Sequence, residues 1–173
     1  MRIRKFVTWP RLLRFANPDG RSAQRFVSPD GFFRVVFQSL SDSLVTAEAI
    51  QYDAFLEVDR GTETIGRITQ RAVAYLQHYK SGAYAKRNGG DPAKPQLFPF
   101  RVCWTFPSRS RLRNFADACR RMNPPILKTQ WLATHEDVIS DPLGPIWIRP
   151  GDTDDSVRHS LIATQINPQH QTA

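Results

Sequence analysis

The stretch Asp53-Ala-Phe-Leu-Glu57-Val-Asp59-Arg60-Gly61-Thr62-Glu63 decides the fold of this chain. Its first half is mostly apolar, and alternation along a strand sends the side chains of Glu57 and Asp59 to the same face. Gly61 breaks the pattern, and Thr62 is a suitable N-cap for a helix. We therefore expect a strand over residues 52–58 that ends in paired carboxylates and leads into a helix.

A second acidic position lies upstream, where Ser28-Pro29-Asp30-Gly31 opens the β-rich run from Phe32 to Phe37. We expect this run to form another strand of the same sheet. Two strands that each bring a carboxylate to one end of a sheet provide the oxygen ligands that Mg²⁺ prefers. The pattern predicts a divalent-metal site at that end.

The helix that follows is expected from about Glu63 to about Tyr79. Its apolar residues recur at helical spacing and form one stripe. Arg71 lies at the edge of this stripe, where its head can reach the end of the sheet, whereas Arg67 and Gln70 point elsewhere. Arg71 is therefore a candidate site residue.

Further elements follow from local patterns of apolar, turn and capping residues. We expect a short helix or turn at 9–15, strands at 25–28, 100–106, 129–133 and 144–149, a long loop at 81–99, and a helix from 108 to about 122. The order predicts an α/β fold with a mixed central sheet and helices on both faces. It also predicts one domain over residues 1–150 and a polar tail over 151–173.

Charge is strong and segregated in this chain of net charge +8 and isoelectric point about 10.1. Residues 80–128 hold eleven Lys/Arg against two acids, whereas residues 42–71 hold six acids. A basic surface favours a polyanionic partner, and we expect DNA. The candidate nucleic-acid-binding residues, for which a solvated surface is the alternative, are Lys86, Arg87 and Lys94 in the loop and Arg109, Arg113 and Arg120 on the outer face of the second long helix.

The sequence argues against several kinds of metal, cofactor and catalytic site, and against a membrane-spanning or secreted protein. Cys103 and Cys119 lack the spacing of a zinc site or a disulfide framework, and we expect buried thiols in a reducing cytoplasm. No apolar run is long enough to span a membrane, and the basic N-terminus has no signal-peptide core. His135-Glu136-Asp137 could coordinate a metal, although a solvated loop is the favoured interpretation. The sequence has no GxGxxG, P-loop or Gly-x-Ser-x-Gly motif.

The early half resembles the core of PD-(D/E)XK nucleases, also called the restriction-endonuclease-like core. In that superfamily a Pro-Asp opens one strand, an acid-x-Lys closes the next, and a helix follows. The resemblance implies that Asp30 and Glu57 bind Mg²⁺ and that Asp30, Glu57, Asp59 and Arg71 are the catalytic positions. Asp59 stands where lysine is expected, and Arg71 is the candidate replacement for that lysine.

A narrower resemblance covers residues 9–152. The run Glu57-Val-Asp-Arg-Gly-Thr-Glu63, the stretch Trp104-Thr-Phe-Pro-Ser-Arg109 and the stretch from Asp141 to Gly151 are similar to the replication-relaxation family of bacterial plasmids and integrated mobile elements. Members generally carry a winged-helix DNA-binding domain ahead of this region. Because this sequence begins close to Trp9, the resemblance implies that such a domain is missing or is supplied by a partner protein.

Two functions follow from these patterns. The favoured one is a DNA- or partner-binding module with a degenerate active site, acting in replication, mobilisation or defence, because lysine is absent at position 59. The alternative is an active Mg²⁺-dependent DNA endonuclease. A purely structural interpretation also stands, since Pro-Asp-Gly is a common turn that recurs at 18–20, and Arg60 could simply pair with Glu63. The sequence leaves the oligomeric state open.

Overall fold

The apolar run around Phe55 forms the central strand of a five-stranded mixed sheet. The computed structural model describes residues 2–7, 12–16, 25–37, 50–152, 154 and 156–161. The strands are β1 (Arg2–Val7), β2 (Leu13–Phe15), β3 (Arg25–Val27), β4 (Gly31–Phe37), β5 (Ile50–Val58), β6 (Arg101–Phe106), β7 (Gln130–Thr134), β8 (Pro145–Trp147) and β9 (His159–Ser160). The helices are α1 (Ile65–Lys80), α2 (Ala83–Arg87), α3 (Arg109–Arg120) and α4 (His135–Ser140), with a 3₁₀ turn at Pro95–Leu97.

The sheet has the strand order β1-β4-β5-β6-β7. Its first three strands pair antiparallel, whereas β5, β6 and β7 pair parallel. The parallel strands are joined by α1 and α3, because a parallel connection needs a long crossover. The predicted α/β class, with a mixed sheet flanked by helices, is confirmed.

Both long helices lie on one face of the sheet. The connections β5–α1–β6 and β6–α3–β7 advance in the same direction, and right-handed crossovers then place both helices on the same side. Their apolar stripes pack into a core that includes Phe55, Ile68, Ala72, Val102, Trp104, Leu112, Phe115 and Leu132. We expected helices on both faces of the sheet. Among the described residues, the short helix α4 alone meets this expectation on the second face.

The other face is covered mainly by the C-terminal segment. There Ala54, Cys103 and Ala133 pack with Trp147 and Leu161, and Val138 of α4 lies against this second core. Strands β8 and β9 pair with each other, and a single bridge between Leu132 and Ile148 ties this pair to β7. Structured packing thus continues past residue 150, into the stretch predicted as a polar tail.

Several local predictions need correction. The stretch 13–15 forms strand β2, paired with β3, instead of a helix or turn, and residues 9–11 lie outside the described residues. Helix α1 is capped by Thr64, whose hydroxyl accepts the Arg67 N–H at 3.3 Å, instead of by Thr62. The predicted long loop contains α2, and the edge strand predicted over 144–149 pairs with β9 outside the main sheet.

Candidate functional site

Asp30 and Glu57 come together at the edge of the sheet where β4 begins and β5 ends. Gly31 pairs with Leu56, so the same register continued by one residue sets Asp30 opposite Glu57. The Asp30 N–H donates to the Leu56 carbonyl at 3.0 Å, and Asp30 Oδ2 accepts the Val58 N–H at 2.7 Å. The charge of Asp30 is close enough to raise the pKa of Glu57.

Glu57 is a buried carboxylate, with 1% of its side chain exposed. The Tyr75 hydroxyl donates to Oε1 at 2.6 Å, whereas Oε2 has no hydrogen-bond partner. Burial raises the pKa of Glu57 to about 7, although the Tyr75 hydrogen bond and the charge of Arg71 both act to lower it. The pKa of Glu57 thus lies well above the ordinary value for a glutamate, and burial is the main cause.

The carboxylates of Asp30, Glu57, Asp59 and Glu63 form the acidic site, also called the acidic cluster below. Arg71 projects from α1 across this cluster. Its Nη1 lies 3.5 Å from Glu57 Oε2, and its Nη2 lies 2.9 Å from an oxygen of Glu63. The guanidinium also lies over the Trp104 ring, 5.3 Å from the ring centroid. One internal cation thus faces two carboxylates, while Arg67 is 76% exposed and contacts Glu63 from outside.

Asp59 is held by a second arginine, Arg111 of α3. Both carboxylate oxygens accept from Arg111, which also donates to the Glu63 carbonyl, and Oδ1 accepts the Gly61 N–H at 3.1 Å. Burial alone would raise the pKa of Asp59, but the bonds from Arg111 and Gly61 outweigh it and lower that pKa. The position where the resembled nucleases carry lysine is therefore an ionised aspartate in an ion pair.

The residues present fit a bound divalent cation poorly. Within the described ranges, no group of three or more His, Cys, Asp or Glu side chains is arranged to hold a metal ion. Asp59 is committed to Arg111, and the free oxygen of Glu57 faces the guanidinium of Arg71. A hard cation needs several oxygen ligands at short range, and here two arginines supply the positive charge instead.

The candidate residues His135, Glu136 and Asp137 form the first turn of α4, so the solvated-loop interpretation is wrong. Thr134 and Asp137 make a reciprocal capping box, with the Asp137 carboxylate accepting the Thr134 hydroxyl at 2.7 Å. Asp137 also pairs with Arg109 at 3.3 Å. Thr134 is therefore the N-cap of α4, and Asp137 stabilises the start of that helix as the N3 residue of the capping box.

The six predicted nucleic-acid-binding residues lie in two separate parts of the fold. Lys86, Arg87 and Lys94 are exposed on α2 and the segment after it, where the chain approaches the amino end of β6. Arg109, Arg113 and Arg120 are exposed along α3, which begins at the carboxyl end of β6. Arg120 is partly engaged, because it donates to the carbonyls of Pro150 and Asp152.

Sequence reasoning missed four residues of the acidic site: Glu63, Tyr75, Trp104 and Arg111. Tyr75 fits the apolar stripe of α1 and Trp104 fits the strand pattern of β6, so neither position indicates a site residue. Arg111 carried a usable signal, because it lies about 40° from the inward Phe115 at the helical period of 100° per residue. Its first-turn position on α3 points it at the carboxyl edge of the sheet.

Comparison of the chain with protein-family models, curated proteins and solved structures found no match. Among the residues that the structure describes, none of the helices is both long and apolar enough to cross a bilayer.

Proposed function

We propose that this protein is a nuclease-like nucleic-acid-binding module in which arginine side chains fill the position of the metal cation. One observation carries the proposal: Arg71 faces Glu57 and Glu63 while Arg111 holds Asp59, so internal guanidinium groups neutralise the acidic cluster. An acidic cluster with built-in counter-charges needs no metal ion for its stability.

The order of elements supports the nuclease-like part of the proposal. Asp30 stands at the start of β4, the sequence Glu57-x-Asp59 ends β5, and α1 follows before the parallel strand β6. This is the order that the PD-(D/E)XK resemblance implies. These side chains meet at one end of the sheet that is formed by the antiparallel strands β1, β4 and β5 and by β6, which is parallel to β5.

The chemistry of the site favours binding over cleavage. Hydrolysis of a phosphodiester needs an activated water and a group that transfers its proton. Arginine stabilises negative charge, but it stays protonated and is a poor proton shuttle. With Asp59 ion-paired and Arg71 in place of a lysine, the described residues of the site lack such a cationic shuttle.

The net charge of +8 supports a polyanionic partner, for which DNA is the proposal. Lys and Arg cluster in residues 80–128, so binding is expected to be electrostatic and weakly sequence-specific. The replication-relaxation resemblance adds the proposed setting, a bacterial plasmid or mobile element. Replication, mobilisation and defence complexes are the proposed contexts.

An active Mg²⁺-dependent endonuclease is the second candidate, and one observation favours it. Glu57 Oε2 is buried without a hydrogen bond, beside Asp30, so it could serve as a ligand if Arg71 moved away. In that case the displaced guanidinium would stabilise negative charge on the phosphate in the transition state, so Arg71→Ala should lower the cleavage rate by roughly 10²-fold or more, as at comparable charge-stabilising positions. Arg67→Ala should change the rate little.

Isothermal titration with Mg²⁺ and Mn²⁺ separates the two candidates. The binding-module proposal predicts no saturable heat from the wild-type protein, together with DNA binding by anisotropy that persists in EDTA and is not strengthened by Mg²⁺. Saturable metal binding that is lost in Glu57→Gln would favour the endonuclease. Absence of DNA binding at low salt would count against both.

A further inference from the structure

A second charged cluster lies on the opposite face of the sheet from the acidic site. Arg101, at the amino end of β6, places its guanidinium between two aromatic rings, 4.6 Å from the centroid of Tyr52 and 4.3 Å from that of Trp131. Its Nη1 donates to the Leu161 carbonyl. The head group is thus fixed in position by β5, β7 and the C-terminal segment.

Among the described residues, no carboxylate balances the charge of Arg101. In the described part of the chain no Asp or Glu lies within ion-pair distance of it, whereas Arg34, Arg71 and Arg111 each have such a partner. Burial lowers the pKa of Arg101, and the nearby charge of Arg149 lowers it further. A half-buried cation with a like charge beside it is costly unless something anionic offsets it.

Arg149 brings a second guanidinium to the same indole, 5.9 Å from the Trp131 centroid. The guanidinium of Arg149 pairs with Asp152, and this carboxylate has other partners as well. Asp152 Oδ2 accepts the Arg149 backbone N–H at 2.6 Å and contacts His159 Nε2 at 3.0 Å. Two arginines therefore lie against one indole ring, and Asp152, the carboxylate that pairs with Arg149, makes no described contact with Arg101.

We propose that Arg101 and Arg149 form a binding site for a phosphate group, either a phosphate monoester or a phosphodiester. A guanidinium has five N–H donors in a planar fork that matches phosphate oxygens, and only one donor of Arg101 bonds to a described residue. Two guanidinium groups suit the charge of a phosphate better than that of one carboxylate. The two aromatic rings hold the guanidinium of Arg101 in position without neutralising its charge.

This site is separate in space from the acidic site. The register of β5 and β6 directs Tyr52 and Arg101 to the face of the second core, away from Glu57 and Arg71. Failure of phosphate binding here would leave the acidic site and its interpretation untouched. The competing explanation is that Arg101 only fastens the C-terminal segment through the Leu161 carbonyl.

Calorimetry on the full chain tests the proposal, with inorganic phosphate, adenosine monophosphate and a short oligothymidylate as probes. The Trp131 indole N–H resonance, assigned with Trp131→Phe, reports where they bind. We expect saturable binding by at least one probe, a shift of that resonance, and a loss of roughly tenfold or more in Arg101→Gln, as for a lost charge-assisted hydrogen bond. Arg67→Gln, with the same charge change on the other face, should bind like the wild type.

The outcomes discriminate among sources and explanations. Binding of the two small probes identifies a mononucleotide-type site, and binding of the oligonucleotide alone identifies a phosphodiester site. Near-ultraviolet circular dichroism checks the fold, and if Arg101→Gln does not fold, Arg149→Gln should give the same loss. The proposal is overturned if the wild type binds none of the probes, or if the folded variants bind as tightly as the wild type.

Discussion

Arg71 Nη1 lies 3.5 Å from Oε2 of Glu57, a buried carboxylate oxygen with no hydrogen-bond donor among the described residues. The separation is too long for a hydrogen bond but close enough for a direct charge interaction. The guanidinium of Arg71 therefore occupies the space beside Glu57 Oε2 where a metal ion would bind.

Removing Arg71 should create a metal-dependent protein. Arg71→Ala leaves Glu57 and Glu63 without their shared counter-charge, so we expect lower stability and a rise in melting temperature on adding Mg²⁺ or Mn²⁺. Ligand linkage gives about 2.7 kcal/mol when the metal is at 100 times its dissociation constant. The control Arg67→Ala should show neither effect, because its exposed pair contributes about 0–1 kcal/mol. An equal metal-dependent shift in the wild type would refute the idea that Arg71 fills the cation position.

Glu57→Gln should stabilise the protein above neutral pH. The pKa of Glu57 is raised to about 7 in the fold from an ordinary value near 4.5, so the stability from its protonated form is complete below 4.5 and is lost as pH rises through 7. Glutamine keeps the neutral form at every pH. Urea unfolding should give nearly equal stabilities at pH 4.5 and a gain on the order of 1–3 kcal/mol at pH 8. A variant that is less stable than the wild type at pH 8 would contradict this pKa shift.

His78 should make the fold sensitive to acid. It is buried among Phe15, Phe55, Tyr84 and Phe100, neither ring nitrogen has a partner in the described residues, and burial with the charge of Arg87 lowers its pKa to about 4. Because the folded pKa lies below the ordinary 6.5, this stability is present above pH 6.5 and is lost as pH falls towards 4.

The variant His78→Phe tests this sensitivity. Phenylalanine has no titrating nitrogen and suits the aromatic surroundings, so the loss of stability between pH 6.5 and 4 should shrink by up to about 3 kcal/mol, the equivalent of the pKa difference. Chemical denaturation across that pH range provides the measurement. An unchanged pH profile would mean that other groups control acid unfolding.

Substitution of Lys86, Arg87 and Lys94 with Ala should weaken DNA binding on all sequences. All three side chains are exposed near the amino end of β6, and each lost phosphate contact should flatten the salt dependence by about 0.9. Anisotropy at several salt concentrations measures both effects. The double variant of Arg109 and Arg113, on α3, is the comparison. If that variant weakens binding while the triple variant does not, the interface lies on α3.

The sequence predicted β3 to β7 and the two long helices well, because their signals are local, but it did not predict β1, β2 or β9. Alternation marked β5, and an apolar stripe with a Ser108 cap marked α3. The failures have physical causes: Thr62 and Thr64 are equally good caps in composition, and the short helix α2 lies between Gly82 and Gly89, where turn residues dominate the pattern.

The candidate site was only partly predictable from sequence. The positions of Asp30, Glu57 and Arg71 follow from strand and helix periodicity. The role of Arg111 does not, because its partner Asp59 is 52 residues away and only the packing of α3 beside β5 and β6 brings them together. Likewise, nothing local distinguishes Tyr75 as a hydrogen-bond donor from an ordinary core aromatic residue.

The most direct test of the central claim is one gel assay with supercoiled plasmid. Wild-type protein is incubated with the plasmid in Mg²⁺ or Mn²⁺, and half of each sample is deproteinised before electrophoresis. We expect retarded DNA in the untreated half and fully supercoiled DNA in the deproteinised half, which means binding without cleavage. Nicked or linear plasmid after deproteinisation, produced by the wild type and not by Glu57→Gln, would contradict the account.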